Sequence, residues 1–123
     1  MAKYVILIQS GPDNYAVAED ALALAQELID EKHTLLQVFF YGSGVTFANR
    51  YLQLPSGVPD YQAQWLEFAT TNKVPIVVCS TAGTQYGLEA QEYPDGNLQP
   101  GFLAGGLAEF MEVLKQADHL EQF

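Results

Sequence analysis

The apolar residues of this chain change their spacing as the sequence advances, and that alternation limits the fold more than any single motif does. Tyr4-Val5-Ile6-Leu7-Ile8 is an unbroken apolar run, the pattern of a strand covered on both faces. Gln9-Ser10-Gly11-Pro12 stops it, and Asp13 or Asn14 can cap a helix. Val17, Ala21, Leu24 and Leu28 then recur at helical spacing among Ala, Leu, Glu and Gln, which predicts a helix ending near Lys32. A second strand is predicted over 35–41, with a turn at Gly42-Ser43-Gly44 and a short helix around 45–52. Residues 54–59 read as a loop, and Pro59 suits the first turn of a helix whose buried stripe is Tyr61, Trp65, Phe68 and Ala69. Pro75-Ile76-Val77-Val78-Cys79 is a third strand, with proline tolerable at its first position. A short helix follows from Ser80 toward Leu88, and 89–101 form a long acidic loop. Leu103, Leu107, Phe110, Met111 and Leu114 repeat at helical spacing, and Leu120 with Phe123 closes a final strand.

Strands alternating with helices indicate an α/β domain with a parallel sheet between helical layers. Parallel crossovers are right-handed, so the C-terminal ends of the strands share one edge. Ligands and chemistry sit at that edge in open sheets. It collects residues 9–12, 40–44 and 79–83, before any motif is considered.

Composition narrows the function. A chain of 123 residues is one domain, 1–123, long enough to bury a core without staples. Fifteen acidic side chains against five scattered basic ones give a net charge of −10, which argues against direct nucleic-acid binding. No apolar run approaches the ~20 residues of a membrane helix, and the N-terminal run is too short for a signal peptide. The expected location is the cytoplasm. One cysteine excludes an internal disulfide, and with two histidines it makes a tetrahedral zinc site improbable.

Cys79 ends a strand and precedes Ser80-Thr81-Ala82-Gly83. Exposed N–H groups in the first turn of a following helix favour negative charge on such a sulfur. The competing reading is a buried cysteine that packs as a small hydrophobe. A Cys-x5-Arg phosphate loop would need arginine at position 85, where Gln85 stands. A Cys–His dyad is disfavoured, because His33 precedes the second strand and His119 opens the last, away from Cys79. The glycines of 42–44 and 10–12 fit neither dinucleotide nor P-loop spacing. A flavodoxin-type site stays open only through Tyr41 or Tyr86, either of which could stack on a flavin. Arg50, the sole arginine, could face an anionic partner but reads first as a surface residue. Glu89, Glu92 and Asp95 make the acidic loop a possible docking surface.

Several segments together resemble one family. They are the first strand ending in Gly11-Pro12, Val38-Phe39-Phe40-Tyr41 followed by Gly44-Val45, and Cys79 with Gly87 eight residues on. Asn97-Leu98-Gln99-Pro100-Gly101-Phe102 followed by Gly106-Leu107, and a terminal Gln122-Phe123, complete the set. The chain resembles, over essentially its whole length, the DsrE/TusD branch of the DsrE-like sulfur-relay proteins. The resemblance implies a three-layer α/β/α, flavodoxin-like parallel sheet of about five strands, with no flavin or other cofactor. It implies a sulfurtransferase-type activity in which Cys79 carries a sulfane sulfur as a persulfide, with Gly11, Tyr41, Gly44, Ser80, Thr81 and Gly83 as possible neighbours. The implied partners are a TusA-like donor, a TusE/DsrC-like acceptor, and TusC/DsrF-like and TusB/DsrH-like subunits in a hetero-oligomer. The pathway would end in tRNA 2-thiouridine or in sulfur oxidation. Some relatives have basic residues just before the glycine matching Gly87, where this chain has Gln85-Tyr86. The alternatives are a non-catalytic assembly subunit of the same family and a flavin- or small-anion-binding module.

Overall fold

The computed structural model describes residues 1–123, and in it the apolar runs lie side by side as one parallel sheet. The strands are β1 (Lys3–Ile8), β2 (Thr34–Phe40), β3 (Ile76–Cys79), β4 (Leu103–Gly105) and β5 (His119–Gln122). Their spatial order is β4-β3-β2-β1-β5, and every pairing is parallel. Central strands β1, β2 and β3 supply Val5, Ile6, Val38, Phe39, Phe40, Ile76 and Val78, all essentially inaccessible. Such strands read as continuous apolar runs because both faces are covered.

The helices are α1 (Tyr15–Asp30), α2 (Tyr61–Asn72), α3 (Ser80–Gln85) and α4 (Leu107–Leu114). Asn14 caps α1, its side-chain oxygen accepting from the Val17 N–H, and Asp60 caps α2 through the Ala63 N–H at 3.0 Å. Pro59 therefore stands before the cap rather than inside the first turn. On one side of the sheet Phe40 meets Trp65 of α2, Phe47 and Phe102, with ring centroids 5.5–5.6 Å apart. On the other side Phe39 stacks on Phe110 of α4 at 4.4 Å. Successive strand residues point to opposite faces, so Val77, in register with Phe39, and Cys79 two residues on share the α4 side. The three layers are thus α1 and α2, the sheet, and α4.

Two further expectations are corrected. The helix expected around 45–52 is a 3₁₀ helix at Gly42–Ala48. Its glycines and β-branched residues supply little α-helical propensity, and the Thr46 hydroxyl donates to the Ser43 carbonyl at 2.7 Å, holding the tighter turn. Leu103, grouped with the last helix by spacing, instead belongs to β4, in register with Val77. The helix begins only at Leu107, where Glu109 reaches back to the Gly106 N–H at 3.3 Å, closing the first turn as a capping box does.

Gly44 lets the 3₁₀ helix lie against the end of β1. A Cβ there would stand 2.5 Å from the Ile8 carbonyl oxygen and 3.1 Å from its carbon, and backbone cannot move aside as a flexible side chain does. Gly44→Ala is expected to destabilise by ~1–3 kcal/mol, read as a lower urea midpoint at unchanged slope.

Candidate functional site

Cys79 is both the last residue of β3 and the N-cap of α3. The polar edge of the sheet thus begins at its backbone while the side chain keeps a strand position. The residue is 2% exposed. Its side chain borders a recess of 220 Å³ enclosed by Tyr41, Gly42, Cys79, Thr81, Ala82, Gln85 and Leu107. Three segments converge to make it: the end of β2, the first turns of α3, and the first residue of α4. Tyr41 is partly exposed at its rim, its ring stacked over Phe39 at 6.4 Å. No charged side chain lines the recess. A sulfur here has an apolar and hydroxyl-lined space beside it, large enough for a second sulfur and a small incoming side chain.

The first turn of α3 leaves the N–H groups of Ser80, Thr81 and Ala82 without partners from the helix itself. Gly83, the fourth residue, is placed by helix geometry to donate to the Cys79 carbonyl, so its N–H does not face the thiol. Its lack of a side chain serves packing instead: a Cβ would come within 3.1 Å of the Leu88 side chain. The Ser80 hydroxyl donates to the Gly105 carbonyl at 3.4 Å, tying α3 to β4. Gly11 and Gly44 shape the neighbouring turns without bordering the recess. A Cβ on Gly11 would meet Asp13 Oδ1 at 2.9 Å and the Ser43 carbonyl at 3.3 Å.

Of the expected neighbours, Tyr41 and Thr81 line the recess; Gly11, Gly44, Ser80 and Gly83 do not. Gly42 and Ala82, from the stretches 40–44 and 79–83 that the sheet edge collects, line it too, and so do Gln85 and Leu107 from outside those stretches. Gln85 had a local signal, standing one helical turn after Thr81. Leu107 had none, since its place depends on α4 crossing the end of the sheet.

A second, more open hollow of 590 Å³ adjoins the first and shares Thr81 and Gln85 with it. Glu89, from the acidic loop, is its one charged side chain, and Ala104 of β4 forms part of its floor. The loop is pinned by Asn97, whose Oδ1 accepts from the Glu89 N–H at 2.7 Å and whose Nδ2 donates to the Gly87 carbonyl at 3.0 Å. Arg50 lies over the Tyr93 ring at 4.7 Å and the Tyr51 ring at 5.4 Å, outside the recess. Both histidines sit at the opposite edge of the sheet: the Tyr4 ring lies edge-on to His33 and tilted to His119, with centroids 5.2 and 4.8 Å away. At the C-terminal edge β1 and β5 are laced together by Gln9 N–H to Phe123 O (2.7 Å) and Phe123 N–H to Leu7 O (2.9 Å). The hollow space at that edge therefore lies at the ends of β2 and β3. No helix is long and apolar enough to cross a membrane.

Comparison with known proteins bears on the fold and the family. The model of the DsrE/DsrF-like family matches residues 2–123. A protein of Pectobacterium carotovorum named Sulfurtransferase TusD is 33% identical over the full length of both chains. Its namesake in Salmonella typhi is 32% identical, over 98% of this chain and 99% of its own. Among solved structures, the ychN protein of E. coli superimposes with a TM-score of 0.80 at 26% identity, covering all of both chains.

Proposed function

We propose, from the premise that this chain belongs to the DsrE/DsrF-like family, that it is a sulfurtransferase-type relay protein with Cys79 as its sulfur-carrying residue. The observation that carries the reading is the recess: the chain's only cysteine borders enclosed space at the C-terminal edge of the sheet. In the loading step the Cys79 thiolate attacks the outer sulfur of a donor persulfide. A new S–S bond forms, the donor's S–S bond breaks, and the donor leaves as a thiolate. In unloading, an acceptor thiolate attacks the outer sulfur of the Cys79 persulfide and Cys79 departs as thiolate. Each step is a displacement at sulfur with no net oxidation, the chemistry of thiol–disulfide exchange. The side chains around the recess exclude bulk water and shield the persulfide from reductants between the two steps.

The reading extends to partners: a TusA-like donor, a TusE/DsrC-like acceptor, and TusC/DsrF-like and TusB/DsrH-like companion subunits, in the cytoplasm, where a free thiol stays reduced. The second reading is a family member that only assembles with others, and the 2% exposure of Cys79 favours it.

Intact-mass measurement decides between them. Incubated with a persulfide donor, the folded protein is expected to gain one sulfur, about 32 Da, and to lose it to an added small thiol with stoichiometric release. A protein that gains nothing while a control carrier loads, and whose thiol resists alkylation until denatured, is the assembly subunit instead.

A further inference from the structure

We propose that Thr81 and Gln85 hold the outer sulfur of the Cys79 persulfide in the recess, each by donating a hydrogen bond to it. The inference rests on Cys79 being the relay thiol. Exposed polar side chains on a helix are ordinary, and it is their placement that singles these two out. They stand one turn apart on α3, and both border the 220 Å³ recess beside Cys79. They also border the open hollow, so they stand between the enclosed space and solvent. The other polar side chains of α3 are committed elsewhere: the Ser80 and Thr84 hydroxyls donate to the Gly105 and Ser80 carbonyls at 3.4 and 3.2 Å.

The chemistry of the loaded site calls for such donors. A persulfide is a stronger acid than its parent thiol, so near neutral pH its outer sulfur carries the negative charge. Buried charge is costly unless it is paired or hydrogen-bonded, and no lysine, arginine or histidine lines the recess. Gly42, Ala82 and Leu107 have no side-chain donor, whereas threonine offers one O–H and glutamine two N–H. Besides Cys79, the one titratable side chain on the wall is Tyr41, at the rim, and Glu89 borders the hollow. On α4, Glu109 is engaged with the Gly106 N–H at 3.3 Å. The same donors meet the charge that spreads over the moving sulfur as an acceptor thiolate attacks it.

Glutathione persulfide is the probe. The Cys79 thiolate attacks its outer sulfur, a new S–S bond forms, and glutathione leaves as a thiolate. The transferred sulfur keeps its proton and then loses it to solvent. Intact mass reads the added sulfur. Once the probe is removed, iodoacetamide alkylates the persulfide anion with loss of iodide, and the rate against pH gives the midpoint of ionisation. Gln85→Met with Thr81→Val keeps the shapes and removes the donors. In that variant the midpoint is expected to rise by about one pH unit. Transfer of the sulfur to a small acceptor thiol is expected to slow about tenfold, less than for a lost oxyanion donor because sulfur is the weaker acceptor. The profile of the bare Cys79 thiol should move much less, since the donors address the position of the second sulfur.

Gln85→Lys supplies a donor again and should hold the midpoint at the wild-type value or below. Thr84→Val removes a hydroxyl already engaged with a carbonyl and should leave both readouts unchanged. Equal shifts for the bare thiol and the persulfide overturn the proposal in favour of general polarity. A wild-type profile in the Gln85 and Thr81 double variant also overturns it, and if Tyr41→Phe moves the midpoint instead, the donor is Tyr41. A wild-type protein that gains no sulfur while a control carrier loads removes the relay thiol, and this role with it.

Discussion

Cys79→Ser is expected to abolish sulfur loading completely, and Cys79→Ala to do the same with a different effect on the fold. The chain has no other thiol, so nothing can substitute as nucleophile, and a serine hydroxyl does not ionise near neutral pH. The stability readout separates chemistry from packing. With the site 2% exposed, a serine hydroxyl left without a partner costs about 1–3 kcal/mol. Alanine leaves only the space of one sulfur, on the scale of deleting a buried methyl, about 1 kcal/mol. Alanine should therefore be the more stable of two equally inactive variants, by urea denaturation, with intact mass recording no added sulfur in either. A variant that folds and still gains sulfur would remove Cys79 from the mechanism. If serine proved as stable as wild type, its hydroxyl would have found a partner in the recess, most directly an N–H of the first turn of α3.

The parts of this molecule legible in its sequence are those whose signal is local. Val17, Ala21, Leu24 and Leu28 repeat over three turns of α1, and the unbroken runs of β1 and β3 need both faces covered wherever they lie. Strand β4 has no such signal. It is three residues long, with Leu103 and Ala104 exposed and only Gly105 buried. Leu103 also falls four residues before Leu107, so its spacing imitates the helix that follows. What makes it a strand is close approach to β3: a Cβ on Gly105 would stand 2.8 Å from Val77 Cγ1. That is a tertiary fact with no periodic trace. The site divides in the same way. A cysteine ending an apolar strand before small residues is readable; a recess closed by Tyr41, Gln85 and Leu107 exists only once three distant segments meet. Gly83 shows the limit from the other side. The resemblance places it among the neighbours of Cys79, while its close approach to Leu88 makes it a packing residue.

Trp65→Ala is expected to produce the largest loss of stability of any single truncation in the core, about 3–5 kcal/mol. Trp65 is fully buried, and its ring meets Phe40 edge-on at 5.6 Å and Phe68 at 5.8 Å, with interplanar angles of 89° and 87°. It joins α2 to the centre of the sheet, so alanine would leave a cavity that the rigid strands β2 and β3 cannot collapse to fill. Against the roughly 5–15 kcal/mol typical of such domains, that loss takes a large share of the margin and exhausts it only at the low end of the range. Phenylalanine at the same position gives the informative contrast. The Trp65 Nε1–H is buried with no hydrogen-bond partner, so the native residue already bears a desolvation cost of about 1–3 kcal/mol. Trp65→Phe removes that donor and keeps most of the aromatic contact. It should lose far less than alanine in urea denaturation, with the denaturant slope unchanged. Equal losses for the two variants would mean that the indole N–H has a water partner and contributes as a hydrogen bond. A small loss for alanine would mean that α2 can settle onto β2 without the ring. Since Phe40 carries the ring contacts of Trp65 on one face and stands next to Phe39 and Tyr41 along β2, a shift of that strand would also move the rim of the recess. Trp65→Ala is therefore expected to change the rate of Cys79 alkylation even where the protein remains folded.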